Sequence, residues 1–152
     1  MRHVPTVAEP TVLSPAEVDA LAARLAARCR DLPVSLLYLH GSHAHGTQNH
    51  LSDLDLAMVM DRDSARDRDA RAEIRRAIED ICERDDVDLV ILNTAGPIIA
   101  DRVVRHGRLL YARSEAERVA FEAMAIKAAL DFQPFSNVYD KALFRQLQEA
   151  TP

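Results

Sequence analysis

Two short motifs carry the residues best suited to chemistry. Gly41-Ser42 is followed, after ten residues, by Asp53-Leu54-Asp55. If Asp53 to Met60, DLDLAMVM, is a strand, residues two apart share a face, so both carboxylates project together while Leu54 and Leu56 enter the opposite layer. Two neighbouring anions on an apolar strand repel and pay for desolvation, which makes a site for a hard divalent cation the better reading. Mg²⁺ takes one or two carboxylates and completes its shell with substrate phosphates. Asp88, one residue into VDLVIL, is a candidate third acid: on an adjacent strand it would join the patch, contact a metal and accept the proton of an attacking hydroxyl. Asp85 and Asp86 compete for this role but precede the apolar run and read as loop. Gly41 allows close backbone approach, and Ser42 adds a hydroxyl for phosphate oxygens.

The elements that must position these residues are legible as hydrophobic periodicity. Ser14-Pro15-Ala16-Glu17 is a capping box with proline at the first helical position, and Val18, Leu21, Ala22, Leu25 and Cys29 follow at helical spacing. VSLLYL, 34–39, reads as a strand, GSHAHGTQNHLS as a loop, and DLDLAMVM as a second strand. Between Asp61 and Asp86, Ile74, Ile78, Ile81 and Cys82 mark an amphipathic helix with one charged, solvated face. VDLVIL is the third strand, Gly96-Pro97 to Gly107 a short helix, and RLLYA the fourth strand. Ser114 and Glu117 start a further helix to about Leu130, which Phe132-Gln133-Pro134 is expected to break before a last amphipathic segment with Phe135, Val138, Leu143 and Leu147. The expectation is an α/β (α+β) fold with a small mixed sheet of about four strands packed with helices. Residues 1–152 are read as one domain, with 1–13 an extended lead-in and 132–152 a C-terminal docking segment.

Composition narrows the function classes. At 152 residues, with 48% hydrophobic and 28% charged residues, the chain has the make-up of one globular domain. Lys and Arg total 19 against 24 Asp and Glu, a formal charge of −5, and no basic block offers a phosphate-tracking stripe, so no direct nucleic-acid partner is expected. No apolar run approaches the ~18 residues of a membrane span, and MRHVPTVAEPTVLSP lacks an apolar signal-peptide core; no membrane partner and a cytoplasmic location are expected. Cys29 and Cys82 lie far apart without C-x-x-C pairing and read as buried apolar residues.

Together and in this order, Gly-Ser, ten residues and Asp-x-Asp resemble the signature of the nucleotidyltransferase (DNA polymerase beta-like) superfamily. YLHGSHAHGTQNHLSDLDLAMVM is similar, more closely, to the minimal nucleotidyltransferase (MNT) family, whose members often carry Gly-Ser-x-Ala-Arg-Gly before Ser-Asp-Leu-Asp-Leu. The resemblance is strongest over Tyr38–Met60, extends to VDLVIL and continues more weakly through HGRLLY and the Phe132-Gln133-Pro134 region. It implies the nucleotidyltransferase fold, Mg²⁺ and ATP, and transfer of AMP to a hydroxyl with release of pyrophosphate. Asp53, Asp55 and Asp88 match the family's metal-binding and catalytic acids; Gly41, Ser42 and His45 match its nucleotide-binding positions. His45 departs from the family's usual Arg, replacing an always-charged donor with one that titrates near neutrality. His40, His43, His45 and His50 crowd this stretch, but not at tetrahedral zinc spacing, so nucleotide-lining roles are expected, and a loop position for His50. MNT proteins are commonly antitoxins of HEPN-domain ribonuclease toxins, some adenylylating a toxin tyrosine. The resemblance therefore implies an AMP-transferring antitoxin in a hetero-oligomer with a HEPN toxin. Two alternatives stay open: a non-catalytic antitoxin that masks its toxin, and a small-molecule nucleotidyltransferase of the aminoglycoside type. The short stretch after the fourth strand argues against the latter.

Overall fold

The computed structural model describes residues 12–45 and 53–149, without the side chains of 45, 135–137, 139–140 and 142–149. The element order is α1 (Pro15–Cys29), β1 (Val34–His40), α2 (Gly41–His45), β2 (Leu54–Met60), α3 (Arg62–Arg66), α4 (Arg68–Cys82), β3 (Val87–Ile91), α5 (Pro97–His106), β4 (Arg108–Ala112) and α6 (Glu115–Glu149). The four strands form one mixed sheet in the order β3-β2-β1-β4, as expected for the fold class. β1 runs antiparallel to both β2 and β4, and β2 runs parallel to β3.

Helices cover both faces of the sheet, which is why its two central strands read as near-continuous apolar runs. On one face Leu37 and Leu39 of β1 and Leu54, Leu56 and Met58 of β2 pack with Val18, Leu21 and Leu25 of α1 and Ile74 and Ile78 of α4. On the other, Leu36, Tyr38, Ala57 and Val59 meet Ala100 and Val103 of α5 and Ala125 of α6. The Tyr38 hydroxyl, at the end of a side chain only 1% exposed, donates to Glu122 Oε1 at 2.9 Å, which ties α6 to the sheet. Cys29 and Cys82 are buried free thiols.

Local sequence explains most element ends. Ser14 Oγ accepts from the Glu17 amide while Glu17 Oε2 accepts from the Ser14 amide at 2.7 Å, the reciprocal cap expected at the start of α1. Asp67 caps α4 by accepting from the amides of Asp69 and Ala70, and it divides the charged stretch, expected as one helix, into α3 and α4. The expected break at Phe132-Gln133-Pro134 is not there: α6 runs through Pro134 for 35 residues. A proline removes one amide donor and displaces the carbonyl four residues earlier, here that of Leu130. Leu130 and Val138 are 57% and 66% exposed, so water reaches this stretch and the helix continues on its solvated surface. Leu130, Phe132 and Val138 thus do not fold back onto the sheet. The side chains of Phe135, Leu143 and Leu147 and the lead-in residues 1–11 lie outside the described residues.

Candidate active site

The candidate residues gather at one end of the sheet, where β1 ends and β2 and β3 begin. In the strand registers His40 is the partner of Asp55, and Asp55 is the partner of Asp88, so three titratable residues form a row across β1, β2 and β3. Asp55 is the only charged residue of β2, within LDLAMVM, whose other members are all buried. It lies on the face of Ala57 and Val59, opposite Leu54 and Leu56, as strand alternation requires. Asp88 is exposed on β3, next to the position where Asp55 begins to be covered. Asp53 stands just before β2 and is exposed, so the expected buried pair is instead one exposed and one half-buried carboxylate. Asp53 is nonetheless close enough for its charge to act on Asp55.

Burial pushes the Asp55 carboxyl above its ordinary value. The charges of Asp88 and Asp53 push it further, and the imidazoles of His40 and His43 oppose the rise. Among the described residues, none of Asp53, Asp55 and Asp88 forms a salt bridge. The competing acids are disposed differently. Arg84 donates to Asp86 from Nε at 2.6 Å and from Nη2 at 2.5 Å, and this hydrogen bonding holds the Asp86 carboxyl below the usual range. Asp85 is an exposed loop residue, so Asp88 is the acid of this segment that shares the row.

Gly41 follows the end of β1 with φ +70°, a conformation that favours glycine. A Cβ there would lie 2.1 Å from Asp55 Oδ2, so the carboxylate rests directly on the glycine. Gly41-Ser42 opens α2, a single helical turn in a stretch expected to be loop. Ser42 follows directly on the glycine that Asp55 rests against, and His43 in the same turn is 6% exposed. His45 ends α2, but its side chain, like His50 as a whole, lies outside the described residues. In sequence His40 is one imidazole among four in this stretch. Its alternation with Leu36 and Tyr38 on β1 was the available indication that it faces the Asp55 side. A separate concavity lined by Glu79, Asp80, Glu83, Arg84, Asp85 and Val87 lies at the α4–β3 junction and contains none of the row. No helix among the described residues is long and apolar enough to cross a membrane.

Comparison with known proteins accords with this geometry. Residues 26–116 match the family described as polymerase beta, nucleotidyltransferase, a span that contains the whole carboxylate row. The chain is 33% identical over 100 residues to the protein adenylyltransferase MntA of Shewanella oneidensis, covering 66% of this chain and 67% of that protein. A crystal structure of a toxin–antitoxin with AMP-PNP superposes with a TM-score of 0.68 at 26% identity, over 81% of this chain and 98% of the other. The fold also matches a chain in a structure of the tri-AMPylated Shewanella oneidensis HEPN toxin in complex with MNT antitoxin, with a TM-score of 0.64 at 23% identity over 82% and 97% of the two chains. With its signature residues brought to one end of a nucleotidyltransferase sheet, this chain belongs to the polymerase beta-type nucleotidyltransferase family, as a homologue of the minimal nucleotidyltransferase MntA.

Proposed function

We propose that this chain is a protein adenylyltransferase acting in the cytoplasm as the antitoxin of a HEPN-type ribonuclease toxin, transferring AMP from ATP to a tyrosine hydroxyl of that toxin. The observation that carries the reading is the Asp55 carboxylate, resting on Gly41 and registered beside Asp88, in a chain similar to a protein adenylyltransferase. The likeness to a toxin–antitoxin structure holding AMP-PNP supports ATP as donor and a toxin as partner.

The residues present fit Mg²⁺. Asp53, Asp55 and Asp88 offer carboxylate oxygens at one sheet end, and the raised pKa of Asp55 reports the charge penalty that a cation would relieve. Among the described residues no three His, Cys, Asp or Glu side chains are placed to hold a metal ion by themselves, so an ion here would take the rest of its shell from substrate phosphates and water. These three acids would hold Mg²⁺, which when bound offsets the negative charge of the triphosphate. Ser42 and the Gly41 backbone hold phosphate oxygens, and His45 lies at the same turn. Asp88 accepts the proton of the tyrosine hydroxyl as its oxygen bonds to the α-phosphorus and the bond to pyrophosphate breaks.

We read residues 1–152 as one domain whose stretch 132–152 docks on the toxin. The exposed apolar side chains Leu130, Phe132 and Val138 on α6 favour a second reading, neutralisation by masking the toxin surface. Co-expression of the toxin with wild type or with an Asp53→Asn, Asp55→Asn variant separates the two. Growth rescued by wild type alone supports AMP transfer; equal rescue by the variant, with a complex still forming, favours masking.

A further inference from the structure

We propose that Arg84 is a positioning residue of the transfer site: by gripping Asp86 it fixes the start of β2, and so sets where Asp53 and Asp55 stand. The inference rests on the carboxylate site of the proposed function and deepens it. Four residues, 83–86, connect α4 to β3. Glu83 ends α4 with φ 52° and is the one non-glycine residue of positive φ among those described. L residues enter this left-handed conformation at a cost, and the chain turns sharply there.

After the turn the Arg84 side chain is only 12% exposed and that of Asp86 23%. Nε of Arg84 donates to Asp86 Oδ1 at 2.6 Å and Nη2 donates to Oδ2 at 2.5 Å. Two parallel bonds from a planar guanidinium fix orientation as well as distance. The main chain of Asp86 carries that constraint to β2, because its carbonyl accepts from the Leu54 amide at 2.9 Å. This bond opens the parallel ladder in which Leu54 pairs with Val87 and Asp55 with Asp88. Leu54 stands between the two acids, so a displacement of its amide moves both. Asp53 is also close enough for its charge to act on Arg84.

A largely buried ion pair adds little to stability, since the loss of hydration offsets the attraction. Its value here is geometric. A short helix-to-strand connection closes without a guanidinium folded inside it, whereas a strand that begins with two acids at fixed separation needs its first ladder bond held in place. Lysine would supply the charge of Arg84 without the two-pronged contact.

The test uses the full chain and joins initial rates of AMP transfer to the purified HEPN toxin, at varied ATP, with amide hydrogen exchange read by NMR. In Arg84→Met, in Asp86→Ala and in the double variant, kcat is expected to fall about 10²-fold, the scale of a misplacement near 1 Å, with KM for ATP within about threefold of wild type. The double variant is expected to lose no more than either single one, because both act through one contact. The Leu54 amide is expected to exchange about tenfold faster or more, while those of Leu37 and Ile78 in the core keep their protection. Arg84→Lys is expected to recover less than about a tenth of the wild-type kcat. Full activity in Arg84→Lys assigns the effect to charge and overturns the proposal. Additive losses, a raised KM with unchanged kcat, or unchanged Leu54 exchange overturn it too, and so does faster exchange shared by Leu37 and Ile78. If Arg84→Met does not fold, Arg84→Lys decides by the same measures. A wild type that transfers no AMP overturns the proposed function instead, and Leu54 exchange then still decides whether Arg84 holds the start of β2.

Discussion

The Asp55 carboxylate occupies the space a side chain at position 41 would fill, with Oδ2 2.1 Å from where a Cβ would stand. Glycine at 41 therefore does two things: it adopts φ +70°, and it lets the acid lie against the turn that begins the candidate phosphate site. Gly41→Ala must displace the carboxylate or twist the turn. The expected result is a loss of AMP transfer of about 10²-fold, the scale of a misplacement near 1 Å. The left-handed backbone adds a stability cost of about 1–2 kcal/mol. Initial rates and urea midpoints on the same preparation check both effects.

Asp55→Asn should stabilise the protein while disabling it. Because the folded-state pKa of Asp55 is raised, the native protein holds this proton to higher pH than the unfolded chain, so ionising the group costs stability as pH rises. Asparagine keeps the shape without the charge. Its gain is full above the folded-state pKa of Asp55 and disappears below the unfolded value of about 3.9. Thermal melts in EDTA at pH 7.5 and pH 3.5 should show a higher Tm for the variant only at the upper pH.

Tyr38→Phe removes the hydroxyl that donates to Glu122 and leaves Glu122 Oε2 accepting from Arg118 at 2.7 Å. A buried hydrogen bond to a charged acceptor is worth about 1.5 kcal/mol or somewhat more. Tm should fall by about 3–6 °C at this chain length, as differential scanning calorimetry would read.

Burial pushes the Cys29 and Cys82 thiols up to about 11. Unfolded thiols ionise near about 8.5, so between these values the unfolded chain releases protons that the native protein retains. Stability should therefore fall with rising pH across that window, by up to about 1.4 kcal/mol per pH unit for each thiol. Urea midpoints from pH 8 to 11 should decline less steeply in Cys29→Ala than in wild type.

The sequence was most legible where one residue type answers one physical demand. An apolar strand interrupted by Asp55, a glycine before serine at a strand end and a capping box at Ser14 each identify their own place. The choice of Asp88 over Asp85 and Asp86 follows from its position inside the apolar run, and the parallel β2–β3 register aligns it with Asp55. Pro134 misled because local propensity forbids proline inside a helix, whereas on the exposed surface of α6 solvent can take up the displaced carbonyl. The burial of His43 was not legible, since it depends on the turn α2 packing over β1 and β2, and nothing local signals that contact.

The proposed function requires transfer of AMP at a site built on Asp53, Asp55 and Asp88. Intact mass spectrometry of the purified HEPN toxin after incubation with this chain, ATP and a divalent cation tests it most directly. The expected result is a mass gain of one or more AMP units that is absent with the Asp53→Asn, Asp55→Asn variant and with Asp88→Asn. An unchanged toxin mass under the same conditions, with the complex formed, would contradict it.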